Sequence, residues 1–568
     1  MSKFEEKVVS MLKKLDIKNG IIGAISILMV MIPILILAPL ENYYANLADF
    51  MFGSKDFIGA FIGVTVAAAV VVFIIAGYLK EKVLRVVVGI LSGIGIAIYA
   101  QVMFLNKNLS VSNGSSVNFD NMTKLKLFNG ACWCVIIVLM LIVVLKFENI
   151  WKDIVIFVGG GLCAVQLVAA VSLPFSFNVE DRTYRYEFSA RNEFEVAEDE
   201  NILVFVLDTV GNEQLRLAVD WYEDTLEGLE DFTYYTNADC CYGWTRPSMT
   251  HMFTGKDVDF DAPTMYAWND EAWNCDRTVE YYDRLHSAGY EVDMYAGDLN
   301  YIFEDAKNLD GKFDNLKKYA HVVDRSEVRG KMLSYALYKT LPYALKAGFQ
   351  VVTKDFASCV SAKVEDGDRV ADTDIFKFMD GVNSGLKLSD SDKAVKIFHL
   401  DGTHSPILID ENLEYNKDAL AQMAVHAHFK ILKNYFDEMK KLGVYDDATI
   451  IITADHGTYI DINDPQPILL VKEKNSKRTE MVMNTAPVSH KELMPSILKY
   501  AGLEYSDYGK CYEDYSESEK RKRTLGYLSE GHSYYNFYEY EGDESDLLLK
   551  FPDKPDYTKQ APTYLVNE

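Results

Sequence analysis

The chain has 568 residues, 49% of them hydrophobic, yet 83 Asp and Glu against 57 Lys and Arg leave a formal net charge of −26. The acidic balance argues against nucleic acid as a partner. A mean hydropathy close to zero beside so large a net charge suggests two unlike parts averaged together.

The amino-terminal part is apolar. Residues 1–20 form a basic segment with Lys3, Lys7, Lys13, Lys14 and Lys18, and Ile21 to Leu40 follow without a charge, long enough to cross a bilayer. A cleaved signal peptide is the competing reading, but the run is long, no small-x-small cleavage site follows it cleanly, and further apolar runs come after. These are Phe57 to Leu79, Val83 to Leu105, Phe128 to Leu145 and Ile154 to Pro174, which predicts a five-helix transmembrane domain over 21–174. Lys80, Lys82 and Arg85 mark one connection as cytoplasmic, and Lys146 and Lys152 mark another. An amino terminus inside then puts everything after about Phe175 outside; Lys107, Lys124 and Lys126 on the outer loop dilute this bias without reversing it. Gly159, Gly160 and Gly161 suit close helix packing. Ionisable residues are almost confined to the ends of the spans, which speaks against a transporter or channel.

A polar linker over 175–200 leads into a second part over 201–510, where apolar strands alternate with helical patterns. This predicts an α/β domain on a mainly parallel sheet. Three of its strands end in acids. Ile202 to Leu207 runs into Asp208, Val395 to Leu400 into Asp401-Gly402-Thr403-His404, and Thr449 to Ala454 into Asp455-His456-Gly457. Ligands of open α/β sheets bind beyond the carboxyl ends of strands, so these tips should converge. Between them lies Thr245-Arg246-Pro247-Ser248, with Pro247 suited to a first helical position and Gly255 to closing the helix. A hydroxyl just before a helix amino terminus is well set to attack an anionic group such as phosphate or sulfate. Carboxylates, imidazoles and one hydroxyl together suit one or two divalent cations, zinc or manganese.

These motifs, with Ala486 to Leu498 (APVSHKELMPSIL), resemble the alkaline phosphatase superfamily in its sulfatase-like branch. Five spans before an external catalytic domain resemble the lipoteichoic acid synthases and lipid A phosphoethanolamine transferases, and His399 to Pro406 is similar to a His-x-x-Gly-Ser-His-Gly-Pro segment of the latter. The resemblance implies Thr245 as nucleophile, since a threonine cannot yield the formylglycine of type I sulfatases. Cys240 and Cys241 are rivals by proximity only. It further implies Asp208, Thr245, Asp455 and His456 as metal ligands, although those transferases usually place a Glu where Asp208 stands. His404 would touch phosphoryl oxygens or bind a second cation, which Asp401 and His490 would complete. Arg246 steadies phosphate oxygens or is a solvated loop residue, and His399 faces substrate or core.

The implied activity is a phosphotransferase of the cell envelope. A phospholipid donor would pass its phosphoglycerol or phosphoethanolamine headgroup through Thr245 to a cell-surface glycan or glycolipid acceptor. The alternative is an extracytoplasmic phosphodiesterase or sulfatase-like hydrolase. Elsewhere, Asp298 ends a helix–strand unit and would face the site. Met332 to Phe349 reads as a core helix or as one lying on the outer leaflet, and His286, His321, His426 and His428 as surface or packing residues. The Tyr-rich segment over 511–568 alternates Tyr and Phe as strands returning to the domain would. Five cysteines fall outside the spans, an odd number that cannot pair fully.

Overall fold

A computed structural model describes residues 15–47, 50–106, 119, 122–176, 184–262, 265–297, 299–303, 305–364, 368–458, 466–528, 534–541 and 557–560. Most of the basic segment 1–20, part of the linker 175–200, much of the outer loop, Asp298 and most of the tail after 541 lie outside the described residues. The chain divides into two compact units, one formed by 1–185 with 320–363, the other by 186–319 with 364–567.

In the first unit five helices are long and apolar enough to cross a membrane: α1 (Ile17–Ala45), α2 (Ile58–Tyr78), α3 (Glu81–Leu105), α4 (Thr123–Lys146) and α5 (Trp151–Ser176). Helix α1 loosens into a π-helical stretch at Pro33–Leu37, where the proline has no N–H to give. Of the three consecutive glycines only Gly159 meets a neighbour, its missing Cβ being replaced by the Met29 sulfur, while Gly160 and Gly161 face open space. The helix Arg325–Thr340 also belongs to this unit. It buries Val328 and Met332 among Tyr43, Phe50, Phe52, Phe57 and Phe356. Polar ties fasten it: Arg325 Nε donates to Asp56 at 3.0 Å, Lys339 pairs with Glu41, and Asn106 Nδ2 donates to the Lys339 carbonyl at 2.9 Å. Within the span 201–510, residues 320–363 thus group with the apolar helices of the first unit.

The second unit is built on a seven-stranded sheet. Its strands are β1 (Glu200–Leu207), β2 (Thr233–Tyr235), β3 (Tyr290–Tyr295), β4 (Lys393–Leu400), β5 (Ala448–Thr453), β6 (Leu469–Lys472) and β7 (Val482–Asn484), in the order β7-β2-β6-β5-β1-β4-β3. Only β6 runs against the rest, so the sheet is mainly parallel, as the alternating pattern predicts. Strands β1, β4 and β5 are buried on both faces, which is why they read as continuous apolar runs. On one face Phe205 stacks on Phe398 at 5.0 Å, and Phe378 and Tyr435, the latter from helix α7 (Ala421–Leu442), pack across them. Toward the edge, Lys396 and Asp293 form a fully buried ion pair at 3.6 Å. Tyr295 supports it by donating to Asp293 and accepting from Lys396, which also donates to the Asn192 carbonyl. A small antiparallel sheet of β8 (Arg523–Leu528), β9 (Tyr534–Tyr540) and β10 (Tyr557–Gln560) forms where the alternating Tyr and Phe predict returning strands.

Candidate active site

Strand register brings the acids together. Val206 pairs with His399 on one side and with Thr453 on the other. Asp208 and Asp455 stand two residues beyond Val206 and Thr453, so all of them share one face of the sheet at its carboxyl edge. One ligand atom each from Asp208, His399 and Asp455 lie within 4.8 Å of one another, the only such group of metal-ligating side chains found among the described residues.

Helix α6 (Thr245–Thr254) aims its amino end at this group. It starts at Thr245 itself rather than at Pro247. A proline anywhere in the first turn costs no hydrogen bond, because those N–H groups have no intrahelical acceptor. Gly255 ends the helix at φ 66°, its N–H bonded to the His251 carbonyl. Thr245 Oγ1 lies 3.3 Å from His456 Nε2. His456 Nδ1 is 2.6 Å from the Gly457 carbonyl, which can only accept, so Nδ1 carries a proton, and Nε2 stands 3.3 Å from both Thr245 Oγ1 and Asp455 Oδ2. Arg246 is half-buried in the same turn.

Backbone donors fix the carboxylates. Asp455 Oδ1 accepts from the N–H groups of Thr209 at 3.1 Å and His456 at 2.9 Å. Thr209 adopts φ 60°, a left-handed turn that a threonine enters only under constraint. The constraint comes from Thr403, whose hydroxyl is 2.9 Å from that of Thr209 and whose N–H donates to the Asp208 carbonyl at 2.8 Å. Gly402, at φ 56°, lies so close that a Cβ on it would sit 2.1 Å from the Asp208 carbonyl oxygen. Ser248 donates to the Asp455 carbonyl and stands 3.3 Å from His490 Nδ1, tying α6 to the tip of β5. The loop before Thr245 is braced by β8. Gly243 N–H donates to the Gly526 carbonyl and Gly526 N–H to the Cys241 carbonyl, both at 2.8 Å, while buried Arg523 donates to the backbone and side-chain oxygens of Asn237.

The electrostatics suit a cation. Burial, then facing Asp455 and Asp401, pushes the Asp208 carboxyl well above the usual range. Burial pushes Asp455 upward too, but His456, His399, the Thr209 N–H and the Thr245 hydroxyl outweigh it and hold Asp455 below its ordinary value. Asp208 Oδ1, Asp455 Oδ2 and both His399 nitrogens are buried without a hydrogen-bond partner. Such a set of unsatisfied oxygens and imidazole nitrogens is costly by itself and fits a divalent cation. Asp208, His399 and Asp455, with His456 and Thr245 beside them, are the residues that could hold it.

The remaining expected site residues are outside the group of Asp208, His399 and Asp455 but close to it. Asp401 accepts from the Ile375 N–H at 3.3 Å, His404 is exposed, and His490 is buried against Ser248 with its imidazole pushed down to about 3 by burial and the neighbouring His251. Cys240 and Cys241 are buried thiols pushed well above their ordinary value, first by burial and then by Asp239, which makes both poor nucleophiles. The residues that sequence reasoning passed over are the braces Thr209, Ser248 and Thr403. Thr403 lies inside a segment singled out for its flanking Asp and His, and its hydroxyl two residues after Asp401 is the one local signal for a brace.

Residues 200–503 match the family model described as Sulfatase. Among solved structures the chain is similar to the lipoteichoic acid synthase LtaP from Listeria monocytogenes (13% identity, 63% of this chain and 86% of that one, TM-score 0.34). It is also similar to the C-terminal periplasmic domain of EcEptC from Escherichia coli (10% identity, 68% of this chain and 98% of that one, TM-score 0.32). A protein in the alkaline phosphatase superfamily from Vibrio parahaemolyticus gives 13% identity over 64% of this chain and 81% of that one, with a TM-score of 0.35. No curated protein matches the chain.

Proposed function

The chain belongs to the sulfatase family, and from that premise we propose that it is a membrane-anchored, metal-dependent phosphotransferase acting outside the cytoplasm. The observation that carries this reading is the Thr245 hydroxyl at a helix amino terminus, 3.3 Å from His456 Nε2, which itself stands 3.3 Å from Asp455 Oδ2. Asp208, His399, Asp455 and His456 would hold the cation, manganese or zinc, with Thr245 at its edge. A cation there supplies charge to neutralise phosphoryl oxygens and to lower the pKa of a nearby hydroxyl.

The chain's own residues do the rest. The amino end of α6 favours the phosphate anion, and Arg246 in its first turn adds positive charge. Thr245 Oγ1 attacks phosphorus of a phospholipid diester and releases its proton to solvent. The bond from phosphorus to the diacylglycerol oxygen breaks, and that oxygen takes up a proton as diacylglycerol leaves. The headgroup phosphate remains esterified to Thr245 until an acceptor hydroxyl on a surface glycan or glycolipid attacks phosphorus in turn and frees the threonine.

The test is to incubate the purified full chain with fluorescent phosphatidylglycerol or phosphatidylethanolamine, with and without manganese or zinc. Headgroup-dependent diacylglycerol release and a matching mass increment on Thr245 are the expected results. Turnover of soluble phosphodiesters with no lipid cleavage would move the enzyme to the hydrolases.

A further inference from the structure

Beyond the side chains at the cation site lies His428, a buried histidine on α7 that touches none of them. Its Nδ1 is 2.7 Å from the Ala424 carbonyl one turn earlier in the helix, so Nδ1 carries the proton and Nε2 is a bare acceptor. That acceptor receives the Gly402 N–H at 3.1 Å. Gly402 is the residue on which a Cβ would run into the Asp208 backbone. The next residue, Thr403, binds the Asp208 carbonyl through its N–H and the Thr209 hydroxyl through its own. Thr209 in turn presents its N–H to Asp455 Oδ1 at 3.1 Å.

We infer that His428 is a positioning residue for the cation site, setting the separation of Asp208 and Asp455 through the backbone of Gly402 and Thr403. This rests on the cation-site reading above. A side chain that did no more than fill space on α7 would not need a nitrogen acceptor turned toward Gly402. The imidazole supplies one at the reach of Nε2, and its Nδ1–H bond to the Ala424 carbonyl holds the ring in that orientation. Partners that hydrogen-bond a ligand directly change metal affinity by about 10- to 100-fold when removed, and His428 acts on Asp208 and Asp455 through the backbone between them, which puts its effect at the lower end, about tenfold.

The test compares two variants of the full chain that differ in reach alone. In His428→Gln the side-chain oxygen extends to the Nε2 position and can still accept from Gly402, whereas in His428→Asn it stops near Nδ1 and cannot. Manganese and zinc binding to the metal-stripped protein is measured by calorimetry, with thermal midpoints of the stripped proteins as the control for folding. The expected result is a Kd within about threefold of wild type for Gln and about tenfold or more weaker for Asn, at similar stripped-protein midpoints. Equal Kd values for the two variants overturn the inference, as does weakening by Gln as great as by Asn. If wild type itself binds neither metal, it is the cation-site reading that fails, a result distinct from equal binding by the variants. Failure of Asn to fold transfers the decision to Thr403→Val, which removes the next link. A Kd unchanged from wild type there overturns the inference, and a tenfold loss supports it.

Discussion

Replacing Gly402 by alanine tests how closely the strand tips are matched. The glycine sits at φ 56°, and a Cβ there would meet the Asp208 carbonyl oxygen at 2.1 Å, the Asp208 nitrogen at 2.5 Å and the Leu207 carbonyl carbon at 2.7 Å. All three are backbone atoms at the carboxyl end of β1 and just beyond it, so no side-chain rotation relieves the contact. Restoring a separation of even 3.0 Å from the oxygen moves the ends of β1 and β4 apart by about 1 Å. The left-handed conformation costs alanine about 1–2 kcal/mol, and overpacking adds about 1–3 kcal/mol. The sum predicts a fall in thermal midpoint on the order of 5–10 °C, read by unfolding of the metal-stripped protein in detergent. Asp208 rides on the displaced backbone, and a misplacement of about 1 Å at a reacting centre lowers turnover about 100-fold. Diacylglycerol release from fluorescent phosphatidylglycerol or phosphatidylethanolamine measures it. A Gly402→Ala protein with the midpoint and turnover of wild type would show that the tips are not packed as described, and the reasoning would be refuted.

Further outcomes follow from the same geometry. Thr245→Ala should lower diacylglycerol release by at least about 1000-fold while Thr245→Ser keeps a measurable rate; a rate in the alanine variant equal to wild type would remove Thr245 from the chemistry. Burial pushes the His428 imidazole from 6.5 down to about 4. The unfolded chain therefore binds a proton that the folded one refuses, and stability should fall as pH drops from 6.5 toward 4, by up to about 3 kcal/mol. His428→Gln, which cannot titrate, should lose less on acidification, and parallel midpoint-versus-pH curves would contradict this. Lys396→Met leaves Asp293 buried without its cation and should cost about 3–5 kcal/mol. Adding Asp293→Leu should recover most of that loss in a double-mutant cycle of thermal unfolding, and a purely additive cycle would argue against a coupled pair.

The strand tips were legible because their chemistry is local. A strand buried on both faces reads as an unbroken apolar run, and the acid that ends it stands out, as Asp208 and Asp455 do. Thr245 was legible from the proline and glycine that bound its helix, to within two residues. His399 was not, because an apolar strand hides which face each side chain takes. Its company with Asp208 and Asp455 depends on the pairing of Val206 with His399 and Thr453, and register between distant strands leaves no mark in the sequence. The expectation that placed it with substrate or core had no access to that pairing. Asp401 shows the reverse: its position after a strand matches the other two acids, yet the Ile375 N–H holds its carboxylate. The stretch Met332 to Phe349 is ambiguous for a similar reason: it spans the end of the helix Arg325–Thr340 and the short helix Tyr343–Lys346. The aromatic side chains that receive it, Phe50, Phe52 and Phe57, lie almost three hundred residues upstream.

The brace from β8 has a consequence for biogenesis. The turn leading into Thr245 is completed by hydrogen bonds from Gly526, a residue made nearly three hundred positions later. A nascent chain emerging from its amino terminus thus carries the Thr245 hydroxyl, and later the acids and imidazoles, before that turn has this support. A fragment that ends before Gly526 leaves the turn before Thr245 without this brace.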